Sequence, residues 1–227
     1  MARLVLTPAE RAAVTEAVTR AERATDGEIV TVVSERSDAY HDVALHYALL
    51  ATLAVPAAAA LWPASLAPGN GWGWGWGWGW GESRATALAL LLVAQAATFL
   101  LTRLLLAWMP LRLALTPRAT RRRRVRRRAL LYFRLAAERR TAGREAVLLY
   151  LSADEHAAEI VADRAVHAAV PPERWGAAMA ALVDSVRAGQ AGAGMVAAVG
   201  VIGAILAEQL PKSASDVNEL PDRVIEL

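Results

Sequence analysis

The chain has 227 residues, of which 56% belong to the hydrophobic class, and its formal net charge is +3. It contains no cysteine, which excludes disulfides, thiolate metal sites and thiol catalysis. Outside residues 43–109, which have the composition of a membrane segment, the chain is long enough for one domain with a real core and too short for two.

The N-terminal residues predict a helix followed by a strand. Thr7 and Glu10 have the spacing of a capping box, and Pro8 stands at the first helical position. Apolar residues at helical spacing follow, namely Val14, Ala17, Val18 and Ala21. The β-branched run 28–33 predicts a buried strand. The first residues lack the apolar core of a signal peptide, so we expect internal segments to direct membrane entry.

Residues 43–109 predict a transmembrane hairpin. A helix needs ~20 apolar residues to cross a bilayer core of ~30 Å. The second arm, 85–109, carries no charge before Arg103, whose long side chain can snorkel to the interface. The first arm, 43–61, contains Pro56 and much alanine, yet proline is tolerated in membrane helices. The alternative, which we favour less, is a pair of buried helices in a soluble domain.

The basic residues that flank the arms predict the orientation of the hairpin. The connecting segment 62–84 carries a single basic residue, Arg84, whereas eight arginines fall between Arg118 and Arg128. Because cytoplasmic flanks are enriched in basic residues, we expect both termini to be cytoplasmic. The chain is therefore predicted to be a multi-pass protein of the cell (inner) membrane, with the loop between the arms outside.

That loop contains a low-complexity tract, 69–81, in which glycine and tryptophan alternate from Gly71 to Gly81. Tryptophan prefers the membrane–water interface, and an extended segment would place all the tryptophans on one face. Glycine at every second position opposes a fixed fold because its backbone entropy is costly to freeze. We interpret the tract as a linker with incidental lipid affinity, in preference to a specific binding surface.

The remaining residues predict further helices and strands. We expect a helix over 118–140, a central strand over 145–151, a third strand over 156–162 and a helix that opens at Pro171. The uncharged stretch 191–207 is at the short limit for a third span. Its bulky residues recur at helical spacing, which favours a helix packed on a sheet, and they are Met195, Val199, Ile202 and Leu206. This order of elements predicts an α/β sandwich with a small sheet.

Several segments together resemble the TPM domain family. They are RRTAGREAVLLYLS (139–152), EHAAEIVADR (155–164), Trp175, VRAGQ (186–190) and the tail DVNELPDRVIEL (216–227), which is similar to the end of a bacterial membrane subgroup of that family. The resemblance covers 1–42 and 110–211 as two parts of one domain, with an acidic tail at 212–227. It implies an α/β sandwich into which the hairpin is inserted.

The resemblance also carries expectations about chemistry. Some TPM members bind calcium or other divalent ions, a phosphatase activity is attributed to a thylakoid member, and others assist the assembly or repair of membrane complexes. The acidic members have an Asp-rich turn before the central strand, whereas the turn here, 140–144, has no carboxylate. A divalent cation such as calcium is therefore implied by the resemblance alone, and we predict no cofactor from the residues. The candidate metal ligands are Asp163, Asp216 and Glu219.

Candidate catalytic residues lie around the third strand. Asp154 and His156 share a turn, and Asp163 ends the strand, so a carboxylate and a histidine could carry out acid–base chemistry if a pocket held them. We favour a solvated turn at 154–156 and a surface ion pair at 163–164 instead.

The arginine block has three interpretations, which are nucleic-acid binding, binding of anionic lipid headgroups and a signal for orientation. Its start within ~10–15 residues of a predicted span favours the last two. Nucleic acid is disfavoured because no aromatic residues alternate with the arginines. The predicted headgroup ligands are Arg121, Arg122, Arg123, Arg124, Arg126, Arg127 and Arg128.

We therefore expect a membrane-anchored, non-enzymatic TPM-like module that supports the assembly or regulation of a membrane complex. Its partners are an anionic bilayer and a membrane protein. The alternative is a metal-assisted, membrane-bound phosphohydrolase, which needs at least three acidic or histidine side chains in one pocket.

Overall fold

A computed structural model of the chain describes residues 6–61, 84–136, 145–213, 220 and 222–227. The chain divides into two compact units. The domain unit comprises Met1–Asp38 and Arg118–Leu227, and the hairpin unit comprises Ala39–Pro117. The predicted tract 69–81, the turn 140–144 and two candidate metal ligands, Asp216 and Glu219, lie outside the described residues.

The described elements follow one another in mixed order. In chain order they are α1 (Pro8–Glu22), β1 (Glu28–Ser34), α2 (His41–Leu61), α3 (Arg84–Leu105), α4 (Met109–Leu115), α5 (Arg118–Ala136), β2 (Ala146–Ser152), β3 (Ala157–Ala162), α6 (Arg164–Ala169), a 3₁₀ turn (Pro172–Arg174), α7 (Trp175–Arg187), α8 (Ala191–Gln209) and β4 (Ile225–Glu226).

The domain unit is built on a four-stranded mixed sheet in the order β3-β2-β1-β4. β1 is parallel to β2 and to β4, and β3 is antiparallel to β2. The parallel pair runs in register from Glu28 opposite Ala146 to Ser34 opposite Ser152, and both strands are buried along their whole length. The predicted mixed α/β class, small sheet and central β2 are confirmed.

Helices cover both faces of this sheet. Because side chains alternate along a strand, Ile29 and Leu149 join a core with α1, α7 and α8, whereas Val30 and Leu148 join a second core with α5. Each strand of the central pair therefore contributes to two cores, which explains why β1 and β2 are apolar on both faces.

The capping box predicted for α1 is present. The hydroxyl of Thr7 accepts a hydrogen bond from the backbone N–H of Glu10, and the Glu10 carboxylate accepts one from the N–H of Thr7. These bonds satisfy donors that the first helical turn leaves without partners. The apolar stripe is buried behind them, with Val14 and Val18 fully covered.

The apolar helix α8 lies in the core of the domain unit. Met195, Val199, Ile202 and Leu206, the residues at helical spacing, are fully buried. A Cβ atom on Gly203 would lie 2.5 Å from the Cβ of Ala21, so the glycine lets α8 pack closely against α1. The structure thus supports the predicted core helix over a third span.

Some element boundaries and one helix differ from the predictions. The second arm does not continue to Met109: α3 ends at Leu105, and Met109 begins α4, with a proline in its first turn. β3 starts at Ala157 because His156 has a positive φ of 47° in the turn. The helix α6, which follows β3, was not predicted. The described part of α5 ends at Ala136, and 137–140 lie outside it.

The hairpin unit consists of α2, α3 and α4. α2 and α3 pack against each other. The hydroxyl of Tyr47, near the start of α2, donates a hydrogen bond to the carbonyl of Leu115, which follows α3 in the chain. Leu115 ends α4, so this contact joins α2 to α4. Arg112 donates to the carbonyl of Leu106, directly after α3, and to that of Ala39, shortly before α2, so the start of α2 lies near the end of α3 and the two helices are antiparallel.

Candidate membrane-facing surfaces and an acidic pocket

Large apolar side chains lie exposed along α2 and α3. None of the Ala85–Leu105 stretch and 17% of the α2 stretch is buried, against 56% of the comparable stretch of α8. Leu92 and Leu100 are each about two-thirds exposed, at 66% and 65%. A monomer in water rarely exposes a continuous apolar surface of this extent. These helices and α8 are the three in the described chain that are long and apolar enough to cross a membrane, by length and composition only.

Small and hydroxyl-bearing residues line the inside of α2. Ala44 and Ala48, one turn apart, are fully buried. The hydroxyl of Thr52 donates to the carbonyl of Ala48 at 2.8 Å, and in α3 Thr102 bonds the carbonyl of Thr98 in the same way. Small residues permit close helix packing in lipid, and hydroxyls bonded within their own helix expose no unsatisfied donor.

A buried arginine ties together the base of the hairpin unit. The Nε of Arg112 donates to the carbonyl of Leu106 at 2.7 Å, and its Nη1 donates to the carbonyl of Ala39 at 2.5 Å. The hydroxyl of Thr116 donates to the carbonyl of Arg112 at 2.7 Å. One guanidinium therefore holds the residues before α2 against those after α3.

The helix α5 has two different faces. Its exposed residues occur in pairs four positions apart, and all are arginine, leucine or alanine: Arg118, Ala119, Arg122, Arg123, Arg126, Arg127, Leu130, Leu131, Arg134 and Leu135. Its buried positions, Val125, Ala129 and Phe133, pack on β2 and β3. The exposed face therefore combines cationic and apolar side chains without a carboxylate.

The predicted headgroup arginines divide between these faces. Arg124 forms an ion pair with Asp38 at 3.1 Å. Arg128 donates from Nε to the carbonyl of Ser37 at 3.0 Å and lies over the ring of Tyr132. Arg121 is half-buried. Three of the seven predicted ligands, Arg121, Arg124 and Arg128, thus belong to the inner side of α5, and the remaining four, Arg122, Arg123, Arg126 and Arg127, are exposed.

Buried polar side chains meet where β1 and β2 end. The carboxylate of Glu155 accepts hydrogen bonds from the Ser37 backbone N–H at 2.9 Å and from the hydroxyl of Ser152. The Ser37 hydroxyl lies 3.0 Å from the Tyr150 hydroxyl, and burial raises the pKa of Tyr150 above its usual value. The predicted solvated turn is therefore wrong for Glu155, which is 7% exposed because it satisfies buried donors.

The candidate catalytic residues do not all come together. Asp154 and His156 share the turn between β2 and β3, where Asp154 pairs with Arg36 at 3.4 Å and His156 is exposed. Asp163 lies at the other end of β3, and a strand of that length spans about 20 Å. Asp163 is buried and caps α6, since Oδ1 accepts from the Arg164 N–H at 2.7 Å. This cap replaces the predicted surface ion pair.

The described residues do not fit the divalent cation that the resemblance implies. The Oδ2 atom of Asp163 is buried without a hydrogen-bond partner, but it is a single ligand, whereas calcium takes six to eight oxygens. Within the described ranges, no three acidic or histidine side chains come together as metal ligands. Asp216 and Glu219 lie outside these ranges.

An acidic pocket of about 300 Å³ lies in the domain unit, beside the end of α1 and the start of β1. Three carboxylates line it, those of Glu22, Glu28 and Asp222, together with Thr19, Arg23, Thr25 and Lys212. Glu22 is 8% exposed, and its Oε1 accepts from the Ile29 N–H at 2.8 Å. The hydroxyl of Thr19 donates to Asp222 at 2.5 Å, which fastens the C-terminal residues to α1.

The electrostatics of this pocket favour a neutral Glu22. Burial, supplemented by the nearby charges of Glu28 and Asp222, raises the pKa of Glu22 from 4.5 to about 8, although the Ile29 N–H and Lys212 oppose this rise. With Glu22 protonated, the two remaining carboxylates face Lys212 and Arg23, and the formal charges balance. The pocket is therefore suited to holding a proton.

Sequence reasoning missed this pocket, although α1 carried a signal. Glu22 stands four residues after Val18 and eight after Val14, on the stripe that the helix buries. An acidic residue at a buried stripe position indicates a group with a perturbed pKa. The partners Lys212 and Asp222 could not be assigned, because they are almost two hundred residues away in the chain.

Neither the models of known protein families nor the curated proteins give a match to this chain. Among solved structures, the chain is similar to the NMR structure of the BA42 protein from the psychrophilic bacterium Bizionia argentinensis. The TM-score is 0.56 and the sequence identity 16%, over 98% of this chain and 95% of the other. At this identity the likeness concerns the fold alone.

Proposed function

We propose that this chain is a membrane protein in which the hairpin of α2 and α3 anchors a TPM-like α/β domain, and that the domain supports the assembly or regulation of a membrane complex. The observation that carries the anchoring is the exposed apolar surface of α2 and α3. Bilayer lipid can cover such a surface without leaving backbone N–H or C=O groups unsatisfied, because a helix bonds these groups internally.

The dimensions of the helices support a spanning hairpin. α2 has 21 residues and α3 has 22, and each is therefore about 30 Å long, close to the thickness of a bilayer core. The charged residues of the two helices lie toward their ends, at Asp42, Arg84 and Arg103, and the two histidines of α2, His41 and His46, lie in its first two turns. The exposed Trp108 follows α3 in the chain, where an aromatic residue suits the interface.

The distribution of arginine supports cytoplasmic termini in the cell (inner) membrane. The cationic face of α5 follows α3 closely in the chain, and basic residues next to a span are retained on the cytoplasmic side. These arginines also suit anionic headgroups, each contributing ~1 kcal/mol near the surface. Arg122, Arg123 and Arg127, which lie on the outer face, are the headgroup ligands that we propose, since Arg126, although exposed, pairs with Glu159 at 3.7 Å.

A supporting role in a complex suits the domain unit better than catalysis. The TPM resemblance implies both assembly factors and a phosphatase. Acid–base chemistry on a phosphate ester needs groups that meet in one pocket. The predicted candidates Asp154 and Asp163 occupy opposite ends of β3. The acidic pocket does bring together the carboxylates of Glu22, Glu28 and Asp222, but the raised pKa of Glu22 keeps that group neutral, and none of the predicted candidates lines the pocket. We therefore retain the phosphohydrolase as the less favoured alternative.

The anchoring is tested by alkaline carbonate extraction of membranes from cells that express the full chain. We expect the chain to remain in the membrane pellet, as an integral protein does, and protease added to intact cells to leave both termini intact. Release into the carbonate supernatant would contradict the anchor. Removal of the C-terminal half by protease would contradict the orientation.

The role in a complex is tested separately, by native electrophoresis of membranes solubilised in mild detergent. We expect the chain to migrate with a second membrane protein, which chemical crosslinking before solubilisation should also capture. Migration of the chain on its own, or with copies of itself alone, would refute this part of the proposal and leave the anchor intact.

A further inference from the structure

We propose that α5 is an interfacial helix whose leucines enter an anionic membrane surface while its neighbouring arginines bind the lipid phosphates. This inference rests on the proposed function, since it requires the chain to be anchored in a bilayer. It adds membrane insertion by Leu130, Leu131 and Leu135 to the headgroup binding proposed for the arginines.

The first observation is the position of these leucines. Leu130, Leu131 and Leu135 are 37%, 45% and 67% exposed. Arg123, Arg127, Leu131 and Arg134 follow one another at spacings of four, four and three, so they share one face of the helix. A single exposed leucine needs no explanation, but three within six residues among arginines form the pattern of helices that lie in the plane of a membrane.

The second observation is that the rotation of α5 is fixed. On the inner side, Arg124 pairs with Asp38 and Arg128 bonds the carbonyl of Ser37. Val125, Ala129 and Phe133 are buried against the sheet. These contacts hold the leucines outward, so a membrane would meet them without refolding of the helix.

The third observation is the distance that the chain allows between α3 and α5. α3 ends at Leu105 and α5 begins at Arg118, and the intervening residues include the seven-residue helix α4. These residues reach at most about 30 Å, from 1.5 Å per helical residue and ~3.5 Å per extended residue. The chain therefore allows the first turn of α5 to reach the membrane surface once α3 spans the membrane.

The absence of acidic residues from α5 favours anionic lipid as the partner of its exposed face. Six arginines occupy its exposed face, and their charge is complementary to an anionic headgroup layer. Leucine does not contribute to the phosphate contacts that supply most of the affinity for nucleic acid. The same leucines lower the free energy of an interfacial helix by leaving water.

The experiment uses site-specific fluorescence on the full chain, which lacks cysteine and therefore allows single labels. The variant L131C, labelled with an environment-sensitive nitrobenzoxadiazole dye, is reconstituted into vesicles of phosphatidylcholine with or without phosphatidylglycerol. We expect the emission to shift to the blue when phosphatidylglycerol is present, and lipids with a shallow nitroxide to quench it. The variant D184C on the exposed side of α7 should remain unshifted and unquenched.

A second label separates failure of this inference from failure of the anchor. L92C on α3 should be quenched by lipids with a deep nitroxide. If L92C is quenched and L131C emits as in water, the inference is wrong and the anchor stands. If neither label is quenched, the anchor itself is wrong.

The contribution of the arginines is tested by neutralising charge on the L131C background. The triple change of Arg122, Arg123 and Arg127 to glutamine should abolish the blue shift in anionic vesicles. Neutralisation of Arg20, Arg164 and Arg187, which are exposed elsewhere on the domain unit, removes the same charge and should leave the shift in place. An equal loss in both triple variants would overturn the assignment to α5.

Discussion

The helices α3 and α8 have similar lengths and are both strongly apolar, but they lie in opposite surroundings. α3 exposes Leu92, Val93, Leu100 and Leu104, whereas α8 buries Met195, Val199, Ile202 and Leu206 completely. Both are long and apolar enough to cross a membrane. Length and mean composition therefore do not distinguish the exposed helix α3 from the core helix α8.

The arrangement of large and small residues does separate them. In α8 the bulky residues occupy one stripe and glycines occur where α1 approaches, so the helix fits a protein interior. In α3 large leucines continue around the helix, and no single protein face could cover them all. Large side chains on all sides suit lipid, whereas α8, whose exposed positions within 191–207 are the small residues Ala193, Ala197, Gly200 and Ala204, keeps its large apolar side chains toward a core.

The largest expected effect comes from introducing an acidic residue into α3, with a matched substitution in α8. Leu92→Asp should prevent stable insertion of α3, because an aspartate at the centre of a span replaces a leucine at a cost of about 3 kcal/mol. The measurement is the fraction of the full chain that resists carbonate extraction.

The matched change on α8 is Ala204→Asp. Ala204 is exposed and lines an open groove of about 590 Å³. This variant should stay in the membrane fraction and keep the thermal stability of the parent protein. Equal loss of both variants from the membrane would refute the distinction between α3 and α8.

An intermediate effect tests the close packing of α8 on α1. Gly203→Ala places a Cβ 2.5 Å from the Cβ of Ala21, and we expect it to destabilise the domain by about 1–3 kcal/mol. Gly200→Ala is the control, because its new Cβ meets nothing within 4 Å. Alanine there should stabilise the helix by about 0.5–1 kcal/mol. Thermal unfolding in detergent measures both, and equal changes would contradict the packing.

A pH-dependent effect concerns the carboxyl group of Glu22, which the domain unit buries. Glu22 has a pKa raised from 4.5 to about 8, so the stability that its protonated form supplies is complete below pH 4.5 and is lost as the pH rises through about 8. The free energy of unfolding should fall by up to ~1.4 kcal/mol per pH unit across this window.

The control for this prediction lies on the same helix. Glu22→Gln should flatten the pH dependence because glutamine stays neutral, whereas Glu16→Gln, which changes an exposed carboxylate, should leave it unchanged. Unfolding curves recorded through the window decide the matter. A parent protein with the same pH slope as Glu22→Gln would show that Glu22 does not hold the proton.

Local patterns sufficed for much of the fold. The capping box of Thr7, the buried run of β1 and the helical spacing in α8 each depend on residues that are close in sequence, and all three are confirmed. The central position of β2 followed from its apolar residues on both faces. Such features are predictable because one element's own pattern encodes them.

The features that were missed depend on distant residues or on short elements. β4 has two residues and pairs with β1 from the other end of the chain. α6 has six residues, and its start depends on the cap by Asp163, which sequence reasoning assigned to a strand end. The acidic pocket joins Glu22 to Asp222, and no local pattern connects them. The inner position of Arg124 and Arg128 could not be predicted, because it depends on how α5 packs against the sheet.

The central claim is that α3 lies in lipid and α8 does not. Nitroxide labels at Leu92→Cys and Ala204→Cys in reconstituted full-length chain measure this directly, by electron paramagnetic resonance with oxygen and a water-soluble nickel chelate as relaxants. We predict that oxygen relaxes the label at position 92 more than nickel does, and that the order is reversed at position 204. Greater relaxation by nickel at position 92 would contradict the account.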